Sequence, residues 1–269
     1  MIIDFHTHIF PDRIAQRTIS LLSEKGGIPP FSDGTVDGLT AKMAEANVDI
    51  SVTLPVLTSP SQFDSVNRFA LEINERFENK ERRLISFAGI HPACENIKEK
   101  MSFIKQNGFL GVKIHPDYQG AFIDDDGYVS IVREAAKHDL TVVTHSGVDG
   151  AYRDMPVRCT PKRALELIKK APHSKLVLAH LGANEMFSEV LDTLCGADVY
   201  LDTAYVLRFV SKDTFKKILD AHGADKILFA SDSPWSDMRA DVEIINSFGL
   251  DKTTIKKIFC ENARRLLGI

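Results

Sequence analysis

The sequence predicts an α/β protein, a single (β/α)8 barrel that spans residues 1–269 as one domain. Short apolar, β-branched runs alternate with amphipathic helical patterns from end to end. Such alternation is typical of a parallel sheet that is covered by helices. About eight strand–helix pairs in roughly 250 residues fit a closed barrel. A doubly wound open sheet is the runner-up, but no glycine-rich phosphate turn follows the first strand.

The strands are predicted from apolar runs that end at proline, glycine or a polar residue. They cover residues 2–8, 50–54, 84–90, 110–115, 140–144, 175–179, 199–203 and 226–230. Helical spacing of apolar residues predicts helices over 12–25, 37–47, 61–79, 95–107, 126–138, 160–170, a segment ending at 194, 211–221, 239–247 and 252–267. The first connection, residues 9–38, is unusually long, and we expect it to form a lid or wall over the barrel mouth.

Composition excludes several classes of protein. The chain is 44% hydrophobic and 26% charged, as expected of a globular protein with a sizeable core. Its net charge of −4 argues against a nucleic-acid partner. No apolar run approaches the roughly 20 residues of a membrane span, and the N-terminus has no secretion signal, so we expect a cytoplasmic protein. Four scattered cysteines are expected to be reduced thiols. The sequence leaves open whether the chain forms a homo-oligomer.

The first strand carries two histidines, His6 and His8, separated by one residue. Side chains two residues apart on a strand point to the same face, so these imidazoles are placed to bind one metal ion. Such a pair alone is more often structural than metal-binding. The positions of other polar residues decide between the two interpretations.

More polar side chains lie at the carboxyl ends of the predicted strands, where barrels of this type build their active sites. Lys113 and His115 lie at the end of the fourth strand, and His145, His180 and Asp232 follow the fifth, sixth and eighth. Imidazole and carboxylate suit zinc and its first-row neighbours manganese, iron and nickel. A bound ion can lower the pKa of a water to roughly 7, and an adjacent aspartate can accept the proton. The pattern therefore predicts a catalytic metal centre with zinc as the first expectation.

Several motifs together resemble the amidohydrolase superfamily, in particular its compact amidohydrolase-2 branch of hydrolases and decarboxylases. These motifs are Asp4-Phe5-His6-Thr7-His8, Gly111-Val112-Lys113-Ile114-His115-Pro116, Thr144-His145-Ser146-Gly147, Ala179-His180-Leu181-Gly182, Ala230-Ser231-Asp232-Ser233-Pro234-Trp235 and Glu261-Asn262-Ala263-Arg264-Arg265-Leu266-Leu267. The resemblance spans the whole chain.

The resemblance implies roles for the five strand-end residues. His6 and His8 would bind the more buried metal, and Asp232 would be a ligand and the proton shuttle. His145 would bind the buried metal in single-metal members or the second metal in two-metal members. His180 would be a second-metal ligand or an acid/base group.

Lys113 decides between one metal and two. In two-metal members a lysine on the fourth strand is carboxylated and bridges the ions, whereas an ordinary lysine at the pocket floor is the other interpretation of Lys113. Around the mouth, His115, Tyr152, Arg153 and Trp235 are candidate substrate contacts.

Three functions are compatible with these residues. The first is a hydrolase that uses a metal-activated water on a small amide, lactone or ester. The second is a non-oxidative decarboxylase of a small unsaturated or aromatic acid. The known decarboxylases of the branch are typically longer than this chain, which favours hydrolysis at this stage. The third, a catalytically silent barrel, gives no reason for polar groups at so many strand ends.

Overall fold

The structure is a computed structural model that describes residues 1–269, and it confirms the predicted (β/α)8 barrel. The strands are β1 (Ile3–Thr7), β2 (Ile50–Thr53), β3 (Arg83–Ser86), β4 (Ala88–Gly89), β5 (Gly111–Ile114), β6 (Thr141–Thr144), β7 (Leu176–Leu178), β8 (Tyr200–Asp202) and β9 (Ile227–Leu228). The α-helices are α1 (Asp12–Gly26), α2 (Val36–Ala46), α3 (Phe63–Phe77), α4 (Ile97–Gln106), α5 (Pro116–Gln119), α6 (Asp126–Lys137), α7 (Pro161–Lys170), α8 (Phe187–Thr193), α9 (Lys212–His222), α10 (Met238–Ser247), α11 (Lys252–Lys256) and α12 (Asn262–Leu267).

All neighbouring strands are parallel, in the order β1-β2-β3 and β4-β5-β6-β7-β8-β9. The third predicted strand is interrupted at Phe87, so that β3 pairs with β2 while β4 pairs with β5. The Phe87 amide still donates to the Thr53 carbonyl at 3.0 Å, which keeps the two halves in one wall. The barrel therefore has eight strand positions, one of them split.

The barrel closes between its first and last strands. The Phe5 amide donates to the Phe229 carbonyl at 2.9 Å, and the Asp232 amide donates to the His6 carbonyl at 2.8 Å. The His8 amide continues the ladder to the Ser233 carbonyl at 2.7 Å. Three residues of the predicted site, His6, His8 and Asp232, thus form part of the closing seam.

Apolar side chains form two cores. The larger core lies between the strands and the surrounding helices, as the near-continuous apolar strands predict. The smaller core fills the barrel and includes Ile3, Phe5 and Val143. The closing helix α12 adds Leu266 and Leu267 to this inner core, which leaves the opposite, carboxyl-end mouth for a site.

Three predicted helices differ from the structure by more than small shifts of their ends. The predicted helix 61–79 begins as a 3-10 turn at Pro60–Gln62 and ends at Phe77, and the segment ending at 194 is helical only over α8. The closing helix 252–267 contains a π-helical segment, Lys257–Glu261, between α11 and α12. The Phe229 amide bonds to the Ile258 carbonyl within that segment at 2.9 Å, a tertiary contact that local periodicity does not contain. None of the helices combines the length and apolar character needed to cross a lipid bilayer.

Candidate metal centre

A bulge in β1 directs both strand-1 histidines into the barrel mouth. Ile3 and Phe5 face the inner core, so strict alternation would turn His6 and His8 outward. The β1–β2 register shifts between Asp4 and Thr7, with one extra residue in β1. Such a bulge reverses the alternation beyond it. Both imidazoles consequently line the cavity, with ring centroids 5.0 Å apart.

Hydrogen bonds fix the tautomers of these two rings. His8 Nδ1–H donates to the Leu54 carbonyl at 2.8 Å, and His6 Nδ1–H donates to Asp202 Oδ2 at 2.9 Å. The Nε2 lone pair of each ring therefore faces Asp232, whose Oδ1 lies 3.1 Å from His8 Nε2 and 3.5 Å from His6 Nε2. Burial, and then the nearby Lys113 ammonium, hold the pKa of His6 well below its ordinary value, which keeps that ring neutral.

These three donors fit a divalent cation. Two imidazole lone pairs and a carboxylate oxygen that converge repel one another unless positive charge lies between them. Ligands of a tetrahedral ion with bonds of about 2.1 Å lie about 3.4 Å apart, close to the observed spacing. Imidazole and carboxylate are also the donors that first-row divalent metals accept. His6, His8 and Asp232 are therefore the residues that could hold one metal.

Lys113 lies against the same cluster from the barrel floor. Its ammonium is 3.0 Å from His6 Nε2, and its side chain is 1% exposed. Burial lowers the pKa of Lys113 to about 8, although the nearby Asp202 and Asp232 carboxylates favour its charged form. Lys113 can therefore exist in part as a neutral amine close to physiological pH.

A chain of histidines continues the site away from this cluster. His180 Nδ1–H donates to the Ala204 carbonyl at 2.9 Å, so His180 Nε2 accepts from His145 Nδ1–H, also at 2.9 Å. His145 in turn stacks on His115, with ring centroids 4.3 Å apart and planes inclined by 10°. His145 therefore reaches the His6 ring through His180, which lies 5.7 Å from His6 between ring centroids.

A second group of donors, His115, His145 and Asp149, is also compact, with ligand atoms within 4.8 Å of one another. Its geometry suits a metal poorly. The ring nitrogens donate in the plane of each imidazole, and the two stacked planes are almost parallel. The lone pairs of His115 and His145 therefore do not converge on one point. The first group is the better metal site.

Backbone strain marks two of the site residues. His180 and Asp232 have left-handed backbone conformations, with φ of 61° and 69°. Such conformations cost roughly 1–3 kcal/mol in residues with a side chain, and they recur at active sites. In this protein the left-handed conformations turn both side chains toward the cavity that is also lined by His6 and His8.

The cavity has a volume of about 450 Å³ and a polar floor. Of the predicted substrate contacts, His115 and Trp235 line it, as do His180 and Lys113. Tyr152 and Arg153 do not: Lys25 covers the Tyr152 ring at 3.7 Å, and Arg153 forms an ion pair with Glu185. The positions of Tyr152 and Arg153 give no support to a role in substrate binding.

Two carboxylates of the site, Asp202 and Asp149, are not among the residues predicted from the sequence. Asp202 orients His6 and also accepts the backbone amides of His180 and Ala204, at 2.9 and 3.1 Å. It lies at the end of the seventh predicted strand, so the strand-end rule could have identified it. Asp149 lines the cavity 3.5 Å from His115 Nε2, but it lies in a loop after the fifth predicted strand, where spacing gives no signal.

Two histidines and an aspartate converge at the carboxyl ends of the strands of a parallel barrel. This arrangement is that of a metal-dependent barrel enzyme. The amidohydrolase family model matches residues 3–269. The chain therefore belongs to the amidohydrolase family, as its motifs suggest. The comparison with curated protein sequences found no match.

Solved structures with the same fold are distant in sequence. An uncharacterized TIM-barrel protein from Bordetella bronchiseptica is 16% identical, with a TM-score of 0.76 over 99% of this chain and 98% of the other. A dihydroxybenzoic acid decarboxylase from Polaromonas, with bound manganese and 2-nitroresorcinol, is 15% identical, with a TM-score of 0.70 over 99% and 96% of the two chains. A probable 2-pyrone-4,6-dicarboxylic acid hydrolase from Acinetobacter baumannii, with bound citric acid, is 16% identical, with a TM-score of 0.69 over 100% and 99%. Other matching structures include decarboxylases of 2,6-dihydroxybenzoate and 5-carboxyvanillate.

Proposed function

We propose that this protein is a metal-dependent non-oxidative decarboxylase of a small aromatic or unsaturated acid. The observation that carries the proposal is the convergence of His6, His8 and Asp232 at the floor of a cavity. Decarboxylases of aromatic acids predominate among the similar structures, and two of them hold manganese. The sequence favoured hydrolysis because of the length of the chain. The alignments to two such decarboxylases span 99% of each of them, which weakens that argument.

His6, His8 and Asp232 would hold the cation, with manganese or zinc as the first ions to test. When bound, the cation supplies positive charge that holds anionic oxygens of the substrate acid. The residues around it hold and move protons. Decarboxylation breaks the bond between a ring or vinyl carbon and its carboxylate, and that carbon must gain one proton as CO2 leaves.

Asp232 and His180 are the groups we assign to proton transfer. Both line the cavity, and the left-handed backbone at each aims its side chain inward. His180 Nδ1–H donates to the Ala204 carbonyl, so only Nε2 can exchange a proton. His145 Nδ1 lies 2.9 Å from that Nε2 atom. To protonate the product carbon, His180 Nε2 would first take the proton of His145 Nδ1, and His145 would regain a proton at its other ring nitrogen, Nε2.

Hydrolysis of a lactone or ester is the second candidate, because a probable pyrone hydrolase shares the fold over its whole length. The same cluster would activate water, and Asp232 would accept its proton. The two reactions differ in product. One releases CO2 with uptake of a proton, and the other releases a new carboxylic acid.

The deciding experiment supplies manganese- or zinc-loaded protein with a panel of hydroxybenzoic acids, unsaturated acids and lactones. We expect CO2 release from at least one acid, abolished by His6→Ala and by Asp232→Ala. The exposed Asp154 provides the control variant Asp154→Asn, which should retain full activity. Acid release without CO2 would establish hydrolysis instead, and activity retained in His6→Ala would refute the assignment of the site.

A separate question is whether the site holds one metal ion or two. Lys113 lies beside His6, and a carbamate formed on its neutral amine could bridge to a second ion. Elemental analysis of protein loaded with and without bicarbonate distinguishes the alternatives. One ion per chain under both conditions would leave Lys113 as an amine at the pocket floor.

A further inference from the structure

The cavity extends well beyond His6, His8 and Asp232, and many of the residues that line its outer part are apolar. Its volume of about 450 Å³ lies in the range of roughly 300–1,000 Å³ that is typical of pockets for drug-sized ligands. Beyond the polar floor, its walls come from α1, from the segment after β2 and from the beginning of α3. A single-ring acid bound at the floor would leave this outer part unfilled.

Helix α1 contributes a stripe of side chains to the wall. Ile14, Thr18 and Leu22 follow one another at four-residue spacing and therefore share one face of the helix. The adjacent face carries Ala15 and Ile19, which are buried. Ile14 is 43% exposed, and neither Ile14 nor Leu22 belongs to the two apolar cores. Helix α1 thus contributes two apolar side chains outside the cores, Ile14 and Leu22, to the cavity wall, together with Arg13, Thr18 and Gly26.

Helix α3 adds a second apolar surface to the same cavity. Val66 and Phe69, three residues apart, line the cavity while they also pack against the larger core. Unlike Ile14, they are anchored by that core and form a fixed wall. We define the space lined by Ile14, Leu22, Val66 and Phe69 as the outer groove.

We propose that the outer groove binds an apolar alkyl or aryl extension of the substrate, so that the preferred substrate is an acid with a hydrophobic tail rather than a bare single-ring acid. Continuity with the cavity floor favours this occupant, because the apolar side chains of the outer groove line the same cavity as His6, His8 and Asp232, where the acid group would be held. The inference rests on the proposed function for the identity of the acid, but its test measures binding and not turnover.

The test uses manganese-loaded protein and non-reactive probes: benzoate and its 3- and 4-ethyl, butyl and hexyl derivatives, with affinity measured by calorimetry. A fully buried methylene raises affinity about fourfold. In a partly open groove we expect about twofold per added carbon, or roughly sixtyfold from benzoate to a hexylbenzoate in one of the two series.

Matched variants test whether the outer groove causes the dependence of affinity on chain length. Leu22→Glu should abolish the dependence of affinity on chain length, so that benzoate and its hexyl derivatives bind this variant equally well. Leu21→Glu is the control, because Leu21 is the preceding residue on the same helix, 61% exposed and outside the cavity lining. Ile14→Glu is the second test variant should Leu22→Glu fail to fold, and manganese content is compared in every variant.

Three results would overturn the proposal: an affinity that changes less than twofold across both probe series, an equal dependence on chain length in Leu22→Glu and Leu21→Glu, or a Leu22→Glu variant that changes only the oligomeric state. CO2 release without a dependence of affinity on chain length would refute the proposed role of the outer groove and leave the proposed decarboxylase function intact. A dependence of affinity on chain length without CO2 release would support the outer groove and refute the decarboxylase function.

Discussion

At the scale of single residues, the candidate centre depends on a carboxylate that does not belong to the donor cluster. Asp202 is fully buried and accepts three N–H groups, from the His6 ring and from the His180 and Ala204 backbone. It thereby fixes which nitrogen of His6 carries the proton. Groups that orient a metal-binding histidine in this way are nearly as important for affinity as the ligands.

Asp202→Asn should lower the affinity for manganese or zinc about 10- to 100-fold. The new amide can donate to His6 Nδ1, which would move the ring proton to Nε2 and remove the lone pair that faces Asp232. Metal affinity measured by competition with a chelator checks this prediction, with Asp154→Asn as the control. An unchanged affinity would mean that Asp202 does not set the tautomer of His6.

At the scale of elements, helix α10 buries an acidic side chain that has no role in the proposed chemistry. Asp241 is 1% exposed. Burial raises the pKa of Asp241 to about 7, and this effect exceeds the lowering by the nearby Ser236 hydroxyl. The folded protein therefore binds a proton at Asp241 that the unfolded chain, with an ordinary pKa near 4, releases.

This difference predicts that Asp241 makes stability fall as pH rises. Its contribution is fully present below about pH 4 and is lost as the pH passes through about 7. Asp241→Asn, which resembles the protonated side chain, should raise the free energy of unfolding by about 2.5 kcal/mol more at pH 8 than at pH 5. Urea unfolding at the two pH values tests this, with the exposed Asp220→Asn as control. A variant equally destabilised at both pH values would contradict the prediction.

Helix α1, in contrast to α10, affects the site directly. Its C-terminal end is held to the loop after β6 by Lys25, which lies over the rings of Tyr152 and Tyr118 at 3.7 and 5.2 Å. The chain before α1 is fixed where the Phe10 amide donates to the Gly34 carbonyl at 2.8 Å. The long first connection therefore forms a wall of the cavity, as its length predicts, and Tyr152 anchors that wall.

At the scale of the whole molecule, the proposed metal would join the two ends of the barrel. His6 and His8 come from the first strand, and Asp232 follows the last, across the seam that closes the sheet. A ligand that binds only the folded state stabilises it by mass action. A cation at this position would bind where the chain must close, so its binding is coupled to the integrity of the barrel.

Metal removal should therefore lower the melting temperature. At a metal concentration 100 times the dissociation constant the stabilisation is about 2.7 kcal/mol, which corresponds to roughly 5–10 °C for a protein of this size. Thermal unfolding with excess chelator and with added manganese measures the shift. His8→Ala should melt at the same temperature in both conditions. A shift of equal size in that variant would place the stabilising ion elsewhere.

The sequence by itself determined the class of fold and the edge of the barrel on which the site lies. Both depend on local periodicity, because a strand followed by a helix leaves its pattern in adjacent residues. The parallel order of such units then brings every strand end to one rim. For this reason His6, His8, His180 and Asp232 could be assigned to one mouth before their distances were known.

Only the tertiary structure decided how those residues are connected. The bulge in β1, which turns His6 inward, depends on pairing with β2, a strand some 45 residues away. His145 bonds to His180 and stacks on His115 because β5, β6 and β7 lie side by side. Contacts between residues far apart in the chain leave no periodic signal. The sequence therefore predicted a metal centre, while the place of Asp149 beside His115 and the outer groove depend on the closed barrel.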